Sequence, residues 1–249
     1  MTEKLNIPYE TVKRKDTIIK IDSSDKSANW FHFMNVHYVN RWEKDTFDVI
    51  DRFIDKNKVL VDIGSWVGPI SLYYANKYRY VYSIDADKES IRILRRNVVL
   101  NSFHNILVID KALYTENKSI YFGPNEFCSV KKMNESSSQC REYKLYDCDY
   151  KTEGITLKEL IKRYQINDIG IIKCDIEGSE ENVIGDILLY AYSNHIPVWM
   201  SFHINWWKKH KLEDFSDIFK LFYNSDILIN DIKTNPLKSV LFFKDYIKK

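Results

Sequence analysis

Residues 58–87, KVLVDIGSWVGPISLYYANKYRYVYSIDAD, decide the fold. An apolar run, Val59-Leu60-Val61, ends in Asp62. A tight turn with Gly64 and Gly68 follows. Pro69 then opens a helical pattern through Ile70, Tyr73 and Tyr74, and a second apolar run ends in Asp85. This order predicts strand, turn, helix, strand. Gly64 supplies a backbone angle that a side chain forbids, and Gly68 is expected to admit a ligand at close range. Pro69 suits the first helical turn, which needs no backbone donor there. Asp85 stands where an acid reaches two ribose hydroxyls.

The unit reads as a nucleotide-cofactor cradle. A dinucleotide fingerprint asks for G-x-G-x-x-G. Here the spacing is G-x-x-x-G, with Trp66 where a middle glycine belongs, so a pyrophosphate is obstructed. Asp62 also repels phosphate and suits a cation, such as the amino group of S-adenosylmethionine. The competing reading is a doubly wound fold with an ordinary turn.

The chain has 249 residues, enough for one α/β domain spanning 1–249 with a real core. Within it, 1–57 is expected to pack on the core as an extension, and 123–142 to form a mobile loop over the site or a plain surface loop. A hydrophobic share of 45% excludes disorder. A net charge of +2 argues against a dedicated nucleic-acid partner. No apolar run is long enough to span a membrane, and the charged start MTEKLNIPYETVKRKD lacks a signal core. Cys128, Cys140, Cys148 and Cys174 show no C-x-x-C pairing and read as free thiols of a cytoplasmic protein.

Thr17–Ile21 alternates like a strand, and Trp30–Val39 reads as another. Phe47, Ile50, Phe53 and Ile54 recur at helical spacing, with Asp45 placed to cap them. That helix start puts Glu43 or Thr46 within reach of a cofactor, or simply in solvent. Ile91, Leu94 and Val98 form an inward helical stripe, with Arg92, Arg95 and Arg96 solvated opposite. Asn105–Ile109 is the third strand, and Asp110-Lys111 follows where a polar group can read adenine or merely turn the chain. Ser119–Phe122 and Tyr143–Cys148 read as a hairpin pair. Thr156-Leu157-Lys158-Glu159 is a capping box. Ile169–Cys174 is a buried parallel strand ending in Asp175-Ile176-Glu177-Gly178. Ser179 is placed to cap the next helix, with Glu180 and Glu181 at its positive end. Pro197–Phe202 is the fifth strand and runs into His203. Leu212, Phe215, Phe219 and Phe222 mark a last helix, and Asp226–Ile229 with Ser239–Phe243 read as a closing antiparallel pair.

Ligands of open α/β sheets sit beyond the carboxyl ends of the strands. Asp62 and Asp85 account for the cofactor, which leaves Asp175, Glu177 and His203 for the substrate. Methyl transfer from a sulfonium is an in-line displacement, so a hydroxyl acceptor needs a base or a metal. In one route His203 is the general base, with Asp175 orienting it. In the other, Asp175, Glu177 and His203 hold Mg²⁺ or Mn²⁺. The competing assignments are Glu177 serving the helix dipole and His203 resting beside Trp206 and Trp207.

VLVDIGSWVGPIS, VYSIDAD, DKALYTENKSIYF, ITLKELI and IIKCDIEGSEENVI together resemble the FkbM-type family of S-adenosylmethionine-dependent methyltransferases, over about residues 40–205. The resemblance implies a Rossmann-like class I methyltransferase fold, expected here as a mostly parallel seven-stranded sheet, helices on both faces, and an antiparallel closing strand. It implies Asp62, Gly64, Ser65 and Gly68 at the methionine part of the cofactor, Asp85 at the ribose, and Asp110 or Lys111 near adenine. Asp175, Glu177 and Glu180 match the family's acidic motif. Trp66, Pro69 and Asp85 depart from its usual residues. The implied activity is O-methylation of a sugar hydroxyl, on a nucleotide sugar or a surface polysaccharide, by a chain able to form homo-oligomers. Trp206, Trp207, Tyr121 and Phe122 are candidates to stack on the sugar. The alternatives are a methyltransferase of RNA or protein and a non-catalytic cofactor-binding module. A base-amino methylase is expected to carry D/N-P-P-Y/F where this chain has Asp175-Ile176-Glu177-Gly178.

Overall fold

The computed structural model describes residues 7–24, 42–124, 138–144 and 149–244. The expected strand Trp30–Val39 lies outside them, as do Cys128, Cys148 and most of the expected loop. The chain opens with an antiparallel hairpin, β1 (Tyr9–Arg14) and β2 (Thr17–Asp22). Helix α1 (Lys44–Ile50) leads to β3 (Val59–Ile63), α2 (Pro69–Tyr74), β4 (Tyr80–Asp85), α3 (Lys88–Leu100) and β5 (Ile106–Asp110). Four short strands follow, β6 (Ala112–Leu113), β7 (Ser119–Pro124), β8 (Ser138–Arg141) and β9 (Tyr150–Ile155). The remainder is α4 (Leu157–Arg163), β10 (Ile169–Cys174), α5 (Ile184–Asn194), β11 (Val198–Ser201), α6 (Ser216–Phe219), α7 (Ser225–Thr234) and β12 (Ser239–Phe242).

The main sheet runs β12-β11-β10-β3-β4-β5. All its pairs are parallel except β11–β12. Among the described residues it is therefore a mixed sheet of six strands, one fewer than expected. Two local choices account for the difference. Asp226–Ile229 is helical, because the Asn224 side chain accepts the N–H groups of Asp226 and Ile227 and caps α7. Leu228 and Ile232, four apart, are buried there. Beyond β5 the chain leaves the sheet, and β6 joins a second sheet in the order β6-β9-β7-β8. In it, β7 pairs with Ser138–Arg141 and Tyr150–Ile155, and most of the expected partner Tyr143–Cys148 lies outside the described residues.

Every residue of β3 is buried, as a central parallel strand demands. Its alternation splits the core. Val59, Val61 and Ile63 face Ile184, Ile187, Leu188 and Ala191 of α5 and the Phe219, Phe222 and Phe242 group. Leu60 faces the other way, with Phe47, Ile70, Tyr73 and Tyr74 of α1 and α2 and the β2 residues Ile19 and Ile21. Thr156 caps α4 through Glu159 N–H, as its motif predicts. Two other caps differ. Glu43, not Asp45, is the N-cap of α1, and Gly178, not Ser179, precedes the 3₁₀ turn Ser179–Asn182.

Candidate functional site

A cavity of about 430 Å³ opens at the carboxyl ends of β3, β4 and β10. Its floor is the turn after β3. Gly64 has φ +75°, and a Cβ there would lie 1.7 Å from the Asp175 carbonyl oxygen, so only glycine fits. The N–H groups of Gly64 and Ser65 donate to the Ile84 carbonyl at 2.9 and 3.1 Å. Ser65 lines the cavity, and its buried Oγ has no hydrogen-bond partner among the described residues. Trp66 adopts φ +49°, unusual for a bulky residue, and its N–H donates to Asp85 Oδ2 at 2.7 Å. Asp85 Oδ1 accepts from Asp87 N–H at 2.8 Å. Burial pushes the Asp85 carboxyl up to about 7. Trp42 and Trp66, 6.5 Å apart, line the same side.

Three cofactor candidates sit elsewhere than the sequence implied. Asp62 is fully buried and does not line the cavity. Ser71 Oγ donates to its Oδ2 at 2.6 Å, and Lys173 Nζ lies 3.3 Å from Oδ1. Gly68 also lies off the cavity. A Cβ there would meet Leu94 Cδ1 at 2.3 Å, so this glycine makes room for α3, not for a ligand. Gly68→Ala should cost about 1–3 kcal/mol in a thermal melt while leaving cofactor affinity within a few-fold. Asp110 belongs to a separate depression with Lys88 and Lys151. Lys111 borders both hollows and pairs with Glu153.

Glu43, at φ +51°, lines the cavity and accepts from Thr46 Oγ1. Burial and the neighbouring Asp175 hold its carboxyl above the usual range. Thr46 accepts in turn from Trp199 Nε1 at 2.8 Å, which fixes α1 against β11.

At the substrate end, Asp175, Glu177 and His203 bring one ligand atom each within 4.8 Å of one another. His203 Nε2 is 3.7 Å from both Asp175 Oδ1 and Glu177 Oε2. His203 is not itself part of the cavity wall, whereas Asp175 and Glu177 are. Glu180 stands in the first turn of the 3₁₀ helix, as expected, but it is fully buried, accepts from Ile176 N–H at 3.0 Å, and accepts from His203 Nδ1–H at 3.0 Å. That bond aims Nε2 at the two carboxylates. Burial works against a charged His203, but the Glu180 bond and the three carboxylates outweigh it and raise the imidazole to about 9. Burial, then Asp175, raises Glu177 to about 8, with His203 opposing. Trp206 stacks on His203 at 5.2 Å and 2°, which occupies one of the expected sugar-stacking rings. Glu181, in the same first turn, accepts from the N–H groups of Lys208, Lys209 and His210.

Two features escaped sequence reasoning. Lys173 is buried, donates to the Gly64 carbonyl at 2.8 Å, and reaches the cavity. Burial works against its charge, but Asp62, Asp175 and Glu43 outweigh that and hold it protonated. A lysine inside an apolar strand was the available signal. The second is the cavity wall made by Phe122, Ser138 and Cys140 of the second sheet. Burial pushes the Cys140 thiol up to about 12, which favours its neutral form.

A family described as the methyltransferase FkbM domain matches residues 54–226. "Uncharacterized protein MJ1452" of Methanocaldococcus jannaschii is 30% identical over 70 residues, 28% of this chain and 27% of that protein. The chain thus matches about a quarter of that relative's length. Among solved structures, methyltransferase FkbM from Methylobacillus flagellatus is 14% identical, with 76% of this chain and 44% of that one covered at a TM-score of 0.41. The Methanocaldococcus jannaschii tRNA m1G37 methyltransferase is 20% identical, with 45% and 36% covered at 0.29. Among the described residues, no helix is long and apolar enough to cross a membrane.

Proposed function

We propose, from the premise that the chain belongs to the FkbM methyltransferase family, that it moves a methyl group from S-adenosylmethionine to a sugar hydroxyl. The observation that carries this reading is the Asp175–Glu177–His203 cluster, set at the same cavity as the Gly64-Ser65 turn and Asp85. Bound S-adenosylmethionine supplies a methyl carbon on a cationic sulfur, open to attack opposite that sulfur. The acidic surroundings of the turn, Glu43 and Asp85 above all, favour such a cation. In this reading Asp85 accepts the ribose hydroxyls, with Trp66 and Asp87 N–H already orienting its carboxylate. Ser65 Oγ faces the methionine part. The half-buried rings of Trp42 and Trp66 give a sugar an apolar wall.

The cluster suits a hard divalent ion. Glu180 fixes His203 with Nε2 outward, and Asp175 Oδ1 accepts no hydrogen bond among the described residues. Asp175, Glu177 and His203 would hold Mg²⁺ or Mn²⁺, which lowers the pKa of a hydroxyl placed beside it. The two carboxylates would also orient that hydroxyl toward the donor.

The test is transfer of labelled methyl from S-adenosylmethionine to a panel of nucleotide sugars and oligosaccharides, with tRNA and protein as further acceptors. Transfer to a sugar alone is expected, and transfer only to tRNA or protein overturns the reading. Exhaustive chelation should remove at least nine-tenths of the activity, with recovery on adding Mg²⁺ or Mn²⁺. Full activity after chelation leaves His203 and the carboxylates as a metal-free base pair.

A further inference from the structure

We propose that Gln139, on β8 of the second sheet, is a positioning residue for the transfer site, acting through Glu177 and His203. The inference rests on the role given above to those two side chains. They stand on separate loops, after the paired strands β10 and β11. The Glu180–His203 bond and the Glu181 bonds to Lys208, Lys209 and His210 join the loops by side chains of the first, and Gln139 joins their backbones from the second sheet. Its Nε2 donates to the Glu177 carbonyl at 3.1 Å and to the Trp206 carbonyl at 3.2 Å. Both partners are carbonyl oxygens, so the nitrogen of the amide must face them. The side chain is buried, 6% exposed, so water does not replace these bonds.

The backbone around it is built for this contact. Glu177 is held at φ +54° and Gly178 at φ +95°. A Cβ on Gly178 would lie 2.2 Å from Gln139 Nε2 and 2.7 Å from Trp206 Cβ, so glycine alone leaves room for the amide. A glutamate in a left-handed conformation persists only where its surroundings over-determine it. The next residue of the strand adds a second tie, with Cys140 N–H donating to Ser179 Oγ at 3.2 Å. On the other loop, Trp206 stacks flat on His203. Glu180 aims the His203 ring, and the Gln139 amide holds the backbone that carries Glu177 against the one that carries Trp206 and its stacked His203, so the second sheet acts on the chemistry without touching a ligand.

The test replaces Gln139 by leucine, which keeps bulk and removes both donors. In Q139L, kcat for the sugar acceptor found in the panel should fall 10–100-fold, with KM and S-adenosylhomocysteine affinity within about threefold. The double variant Q139L/E177Q should lose less than the product of the two single losses, because part of the amide's effect runs through the Glu177 carboxylate. A merely structural Gln139 would give losses that multiply. The ring nitrogen resonances of His203 supply a readout that needs no acceptor, and Q139L should shift them. Unshifted His203 resonances, or multiplying losses, overturn the proposal. If E177Q itself leaves turnover unchanged, the role given to Glu177 fails, and a shift of His203 in Q139L still establishes the tie. Q139N, too short to reach both carbonyls, repeats the test should Q139L not fold.

Discussion

Lys173→Met is expected to cost about 3–5 kcal/mol of stability, the usual result of removing one partner from a buried ion pair. Methionine keeps the length of the side chain, so packing changes little and the loss is electrostatic. Asp62 then keeps Ser71 and nothing positive, in a site with no solvent exposure. The Gly64 carbonyl also loses its donor, at the floor of the cavity. Denaturant melts should show the loss, and S-adenosylhomocysteine affinity should fall at least tenfold as the turn relaxes. The double variant K173M/D62N should regain most of the stability, because it removes the orphaned charge along with its partner. If the double variant is no more stable than K173M, the Asp62–Lys173 pair is not the source of the loss.

That pair also shows where sequence reading stops. The strand-turn-helix-strand unit was legible because β3 and β4 are apolar runs that end at a charged residue, and an open parallel sheet places such ends together. Asp62, Asp85, Asp175 and His203 were found this way. Which of them faces the ligand depends on side-chain parity, and parity depends on pairing between strands distant in the chain. Register sets Asp62 beside Lys173 on one neighbour and Ser83 on the other. All three point toward α2, where Ser71 joins them and Ser83 Oγ donates to Ser71 Oγ at 2.7 Å. Asp62 therefore points away from the cavity, a placement that neither its spacing from Gly64 nor its charge discloses. The second sheet was hidden for a related reason. Ser138–Arg141 is short and polar, and it becomes a strand only through its pairing with β7. Its contribution to the cavity wall, and the reach of Gln139, follow from that pairing alone. Helix α7 was misread because a four-residue window holds a single turn, too little to separate a period of 3.6 from one of two.

Asp175→Asn is the substitution expected to affect catalysis most, lowering kcat by about 10²–10⁴-fold, the range for a group that orients or activates the reacting hydroxyl. The geometry explains why this carboxylate matters more than Glu43, which also lines the cavity. Asp175 joins the two halves of the site. Its N–H donates to the Ile63 carbonyl at 3.0 Å and its own carbonyl packs on Gly64, so its backbone belongs to the cofactor floor. Its side chain faces His203 Nε2. Asparagine preserves the shape and the backbone contacts, so S-adenosylhomocysteine affinity should stay within a few-fold. Stability should change little, because the like charge lost beside Glu43 and Glu177 is offset by the partner lost beside Lys173 and His203. A variant that keeps its stability, still binds the donor product and yet does not transfer methyl groups separates chemistry from folding. Single-turnover transfer of labelled methyl, alongside calorimetric binding and a thermal melt, measures all three. Turnover within threefold of the parent chain would remove Asp175 from the reaction and leave it a partner of His203 alone.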